Sequence, residues 1–182
     1  MKDRKSFEHL VEHVLEGGAD RAVLIDTDQI VVDDRVGLKC RVPLCAHYNH
    51  NLTCPPNTIT ISEFRNLLKN YNTALLLQVK GTGCEEEDVR QAELKVQNLI
   101  SELETKALME GNYFAAGFAT RCRLCPECVG VQSGEPCRHP FRARPSLDAA
   151  GVDIFSTSKN AGIPFNPLDR DELYFAGLLL LF

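Results

Sequence analysis

Cys122, Cys125, Cys128 and Cys137 lie in the stretch RCRLCPECVGVQSGEPCRHPFRAR as a C-x2-C-x2-C-x8-C array. Thiols at such gaps converge on one centre when the backbone curls around it, and thiolates are soft ligands that select zinc, copper(I) or iron–sulfur clusters. Structural zinc sites bring thiols as separate C-x2-C pairs. A C-x2-C-x2-C triple with one more distant Cys is how bacterial ferredoxins wrap a [4Fe–4S] cube, although there the fourth Cys lies nearer and precedes a proline. The spacing points to an iron–sulfur centre, with a loop-rich zinc knuckle as the alternative. Pro126 and Gly130 bend the backbone as a cluster loop requires.

A second group, Cys40, Cys45 and Cys54, forms C-x4-C-x8-C, is closed by Pro55 and Pro56, and contains His47 and His50. The segment has turn chemistry and no apolar period, so it is a loop that something must order. Metal is the economical answer; the plainer one is that one or two of these cysteines are small buried residues. Three thiols leave a cube one ligand short. Cys84, His47 or His50 would close it, or no protein group would, and an iron without a protein ligand is a Lewis acid with an open position. Arg121, Arg123 and Arg138 stand among the ligands of the four-thiol group. Cations there stabilise a negatively charged cluster and raise its potential; otherwise they make a solvated basic loop.

The elements that must position these loops read as follows. Residues 3–16 carry an apolar stripe at Phe7, Leu10, Val11 and Val14, a helix stopped by Gly17 and Gly18. His9 and His13, four apart on it, keep company with glutamates on a solvated face. Arg21–Val32 predicts strand–turn–strand, and Ser62 caps a short helix to Asn70. Thr73–Lys80 is a strand, Glu85 to about Glu110 a long helix with acidic residues at its N-terminus, and Asn112–Ala119 a strand. Together they predict a βαβ unit at about 73–119. The triple-cysteine loop then leaves the C-terminal edge of the sheet, where open α/β folds build their sites. Pro145 to Gly151 and Asp153 to Asn160 predict short helices, and Leu173–Phe182 a buried strand near the sheet centre. Gly81-x-Gly83 lacks a third glycine and faces four carboxylates, so it is no phosphate loop. Cys84 opens the long helix, where the dipole favours a thiolate and the same carboxylates oppose it.

The chain has 182 residues, eight cysteines and a net charge of −5. That length allows one ordinary core without help from metal. The acidic balance argues against a general nucleic-acid binder, and no apolar run is long enough to span a membrane. With no export signal, the cysteines read as reduced thiols in the cytoplasm rather than a disulfide framework.

KCRVPLCAHYNHNLTCPPNTIT, followed later by RCRLCPECVGVQSGEPCRHPFRARPSLDAAGVDIF, resembles over most of the chain a prokaryotic family of predicted metal-binding proteins of unknown function. The resemblance puts the family motif on Cys40, Cys45, Cys54, Cys122, Cys125, Cys128 and Cys137, with Cys-Pro-Pro at 54–56 and Arg-Pro-Ser at 144–146. Cys84 stands outside it. The family brings no reaction, so it implies metal binding and leaves the chemistry to the residues.

The combined expectation is a single metal-binding domain over 1–182. It is α/β or α+β, with one mixed sheet, flanking helices and two cysteine-rich loops. It carries one or two [4Fe–4S] clusters and passes electrons to a protein partner, since no flavin or nicotinamide motif is present. An enzyme with an open iron on Cys40, Cys45 and Cys54, and a zinc-stabilised binding module, are the alternatives.

Overall fold

Thr73–Lys80 and Tyr174–Leu181 are apolar almost without alternation, and such strands must be covered on both faces. In the computed structural model, which describes residues 4–166 and 173–182, these two lie side by side at the middle of one four-stranded sheet. The strands are β1 (Arg21–Asp26), β2 (Thr73–Lys80), β3 (Ala116–Phe118) and β4 (Tyr174–Leu181). They run in the order β1-β2-β4-β3, every neighbour antiparallel.

The helices are α1 (Glu8–Glu16), α2 (Ile61–Leu68), α3 (Glu86–Met109) and α4 (Ile154–Asn160). One face of the sheet, with Leu75, Leu77 and Leu179, packs on Leu10 and Val14 of α1 and on Val96, Ile100 and Leu103 of α3. The other, with Leu76, Leu178 and Leu180, packs on Phe64 of α2 and on Leu147, Ala150 and Val152.

The expected class and single sheet hold, but the sheet is antiparallel rather than mixed. β2 and β3 do point the same way with α3 between them in sequence. β4 lies between them in space and opposes both. The reason is burial: a second strand apolar on both faces needs a neighbour on each side and the cover of both layers, and only the slot beside β2 offers that.

Other expectations shift at element ends. The second strand within 21–32 shrinks to one bridge, Val32 to Val152, because a 3-10 turn at Thr27–Gln29 follows β1. Gln29 Oε1 accepts the Asp26 N–H at 3.0 Å and tightens that turn. The helix to Asn70 is capped by Thr60 rather than Ser62. Thr60 Oγ1 accepts the Glu63 N–H and Glu63 answers to the Thr60 N–H, a reciprocal box. The strand expected from Asn112 begins at Ala116, since Ala115 N–H turns back to Asn112 O at 2.9 Å. The stretch expected as a helix from Pro145 to Gly151 is a turn. The expected N-terminal helix starts from residue 3, which lies outside the described residues. Among the described residues no helix is long and apolar enough to cross a membrane.

α3 lies close on the sheet because β4 and β3 offer glycines beneath it. A Cβ on Gly177 would come within 2.6 Å of Ile100 Cγ1, and one on Gly117 within 2.6 Å of Ile100 Cγ2. Gly177→Ala therefore forces α3 outward, at a cost of about 1–3 kcal/mol. Urea unfolding of the variant should show a lower midpoint at an unchanged slope; an unchanged midpoint would contradict this packing.

Candidate metal centre

The two cysteine loops leave the sheet region through necks that share one clamp, the turn 146–152. At one end of it Ser146 bridges Ala119, just past β3, with Ala119 N–H donating to Pro145 O and Leu147 N–H to Ala119 O, both 2.9 Å. At the other end Val152 bridges Val32, with Asp33 N–H donating to Gly151 O and Asp153 N–H to Val31 O, both 2.8 Å. The first neck closes the loop carrying Cys122, Cys125, Cys128 and Cys137. The second starts the segment that carries Cys40, Cys45 and Cys54 and ends at α2. Gly151 sits at φ +75°, and a Cβ there would meet Ile61 of α2 at 2.7 Å, so the clamp and α2, where the three-thiol segment ends, are packed together.

The loops also touch each other. Gly130, at φ +70°, packs against His50, and Val131 N–H donates to His50 O at 3.3 Å. His50 thus joins the loops through its backbone.

α3 holds the four-thiol loop through a polar row that its apolar stripe conceals. Glu93, Gln97 and Ser101 recur every fourth residue and all are buried. Gln97 Nε2 donates to Arg142 O at 2.7 Å. Glu104 Oε2 accepts from Arg144 Nε at 2.8 Å and from the Gly117 amide. Glu93 takes both arginines that flank Cys122: Arg121 Nε at 2.9 Å and Arg123 Nε at 2.6 Å. Sequence reasoning placed Arg121 and Arg123 beside a cluster and missed Glu93. The signal was there, a carboxylate and an amide at i and i+4 on a helix with an apolar opposite face.

The thiols are gathered by loop. Burial first, then the charges of Cys40, Cys45 and Cys122, push the Cys54 thiol up to about 12. Burial raises Cys40, with Asp148 and then Cys45 adding to it. Burial raises Cys122 too, and Cys137, Cys125 and Cys128 add to it. Each loop's thiols therefore lie within electrostatic reach of one another.

Backbone amides already point at two sulfurs. The Leu124 amide bonds Cys122, and His139 N–H donates to Cys137 Sγ at 3.4 Å. Such N–H donors stabilise the thiolate over the thiol and are a lever on cluster potential. The donor set, seven thiols in two gatherings with amides on their sulfurs, fits a thiolate-bound metal. Among the described residues no group of three or more His, Cys, Asp or Glu side chains closes tightly enough to hold an ion as it stands. With the raised thiols protonated at neutral pH, ligation must displace protons, so affinity rises with pH.

The three-thiol group opens on a cleft of about 320 Å3. Cys40, Cys45 and Cys54 line it with His47, Arg121 and Asp148. Burial first, then the charges of Arg121 and Arg123, lower the His47 pKa, with Glu93 opposing. Asp148 lines the cleft at an exposed position, and desolvation by the protein around it raises its carboxyl, Lys39 opposing and Glu93 reinforcing. Cys84 is exposed in the turn before α3 and does not line the cleft. Arg138 Nη1 donates to Glu127 O at 3.2 Å, bracing the loop from the far side.

Removing Glu93 should loosen this arrangement, because it leaves Arg123 buried without its carboxylate. Glu93→Ala is expected to cost about 3 kcal/mol, the low end for a broken buried pair since Arg121 is partly exposed. It should also weaken metal binding at the four-thiol group by about 10–100-fold. Amide exchange over residues 120–145 should speed up by mass spectrometry; exchange and metal affinity equal to wild type would show that the pair does not position the loop.

The family model described as Predicted metal-binding protein (DUF2284) matches residues 23–181. That span includes every cysteine of both loops. Searches of curated proteins and of solved structures find no match.

Proposed function

The chain belongs to this family of predicted metal-binding proteins, and on that premise we propose that it is an iron–sulfur protein carrying two adjacent [4Fe–4S] clusters. One is held by Cys122, Cys125, Cys128 and Cys137, the other by Cys40, Cys45 and Cys54. The observation that carries this reading is the contact of the two cysteine loops at His50 and Gly130, where Val131 N–H donates to His50 O. Two cysteine loops that share one clamp and touch each other suit a relay of electrons from one centre to the next. A [4Fe–4S] cluster supplies one-electron redox chemistry, and its potential is tuned by hydrogen bonds to the sulfurs and by nearby charge.

The chain's own residues fill those tuning roles. Leu124 and His139 amides bond sulfurs. Arg121 and Arg123 bring positive charge beside Cys122, partly offset by Glu93. Val42 and Leu44, each 72% exposed, stand between Cys40 and Cys45. An apolar rim beside a cluster is the kind of surface a transient redox partner covers. We place this role in the cytoplasm, where unpaired thiols stay reduced.

The cleft favours a second reading. A centre with three thiols facing an open cavity of about 320 Å3 has the layout of an enzyme site, with the four-thiol centre as its electron supply.

Elemental analysis of protein purified without oxygen tests the proposal. Iron and acid-labile sulfide are expected in similar amounts, with zinc absent and the solution brown. Colourless protein with stoichiometric zinc would overturn the iron–sulfur reading and leave a zinc-stabilised module.

A further inference from the structure

Two cysteines stand between cations: Cys122 between Arg121 and Arg123, and Cys40 between Lys39 and Arg41. The cations around Cys122 are met within the chain, because Glu93 takes both. Those around Cys40 are not. Among the described residues neither Lys39 nor Arg41 makes an ion pair, and from Arg35 to Thr60 the sequence holds no Asp or Glu. Arg35 is taken by Asp33. Lys39 is exposed, its Nζ 5.7 Å over the ring of Phe155. Arg41 is exposed too and is tied down only through its backbone, its N–H donating to Leu38 O at 2.9 Å.

A bridge between Arg41 and Leu44 folds this stretch into a tight turn with Val42 and Pro43 at its tip. Val42, Leu44 and Leu38 are all exposed. An apolar centre with a charged rim is the anatomy of a protein interface, and the rim charges set encounter rate and partner choice. The chain as a whole carries a net charge of −5. An acidic partner is therefore repelled by most of the molecule and steered to the stretch that lacks carboxylates.

We propose that this turn, with Lys39 and Arg41, is the docking surface for an acidic one-electron carrier protein, whose carboxylates meet the two cations as Glu93 meets Arg121 and Arg123. The inference rests on the iron–sulfur reading above. One electron leaves the reduced carrier and enters the centre on Cys40, Cys45 and Cys54; no bond forms or breaks and no proton moves.

The test is stopped-flow mixing, without oxygen, of the iron-loaded full chain with a reduced, acidic [2Fe–2S] ferredoxin at low and at high salt. The wild-type bimolecular rate should fall by about tenfold or more as salt rises. Lys39→Glu with Arg41→Glu should slow the low-salt reaction by about tenfold and remove most of its salt dependence. Lys39→Gln with Arg41→Gln, a milder change, replaces that variant if it loses iron. Val42→Ser with Leu44→Ser should keep the salt dependence and raise the ferredoxin concentration needed for saturation. Lys69→Glu with Lys80→Glu, an equal change in net charge, should stay within about twofold of wild type. Iron content, circular dichroism and full reduction by dithionite confirm that the centres are intact. Equal slowing by the two charge reversals, or a rate indifferent to both salt and the reversal at Lys39 and Arg41, overturns the docking surface and leaves the iron–sulfur reading intact. Binding to anionic phospholipid vesicles that the same reversal abolishes, with the ferredoxin rate unaltered, gives the surface to a membrane and overturns it as well. Wild-type protein with no iron and no sulfide overturns both.

Discussion

Glu93 is a carboxylate on a helix face turned into the protein, and there it binds the two arginines on either side of Cys122. A buried carboxylate is costly unless cations meet it, and buried arginines are costly unless a carboxylate meets them. Each therefore confines the other. The confinement sets where the four-thiol loop begins relative to α3, and α3 is in turn set on the sheet by Val96, Ile100 and Leu103. The loop has no regular structure of its own beyond one short 3-10 turn at Val131–Ser133. Its course is imposed from outside, by Glu93 at the entry and by Gln97 and Glu104 at the exit.

The rest of the site follows from the clamp at 146–152. A single turn pairs with the end of β3 on one side and with the start of the three-thiol loop on the other. Its buried Leu147 and Ala150 belong to the core beneath the sheet. Core packing and loop placement are thus one event: whatever seats the turn also brings both loop necks to the same corner. The same turn carries Asp148 to the mouth of the cleft.

The sequence was most legible where burial and periodicity act alone. β2 and β4 read correctly as strands because TALLLQVK and YFAGLLLL are apolar runs of strand length with no room to expose either face. α3 read correctly because its apolar stripe is long. The strand order was not legible, since apolar runs say that a strand is central without saying which neighbour it takes. The turn at 145–151 was misread as a helix from its Pro145–Ser146 start and Gly151 stop; Ala150 N–H does donate to Ser146 O, but the turn's ends pair with Ala119 and Asp33 instead of continuing a helix. Of the site, the cysteine spacings and flanking arginines were visible. Glu93 was marked only by the amide four residues on, Gln97, and its partners Arg121 and Arg123 are distant in sequence, so its role was missed.

The central claim is that the two thiol groups form one paired centre rather than two independent ones. Electron paramagnetic resonance of the fully reduced protein addresses it directly. Two neighbouring paramagnetic clusters should split or broaden each other's signals, and Cys125→Ala should collapse the spectrum to one plain, unsplit signal. Two sharp signals that superpose without interaction, or a spectrum unchanged by Cys125→Ala, would contradict the account.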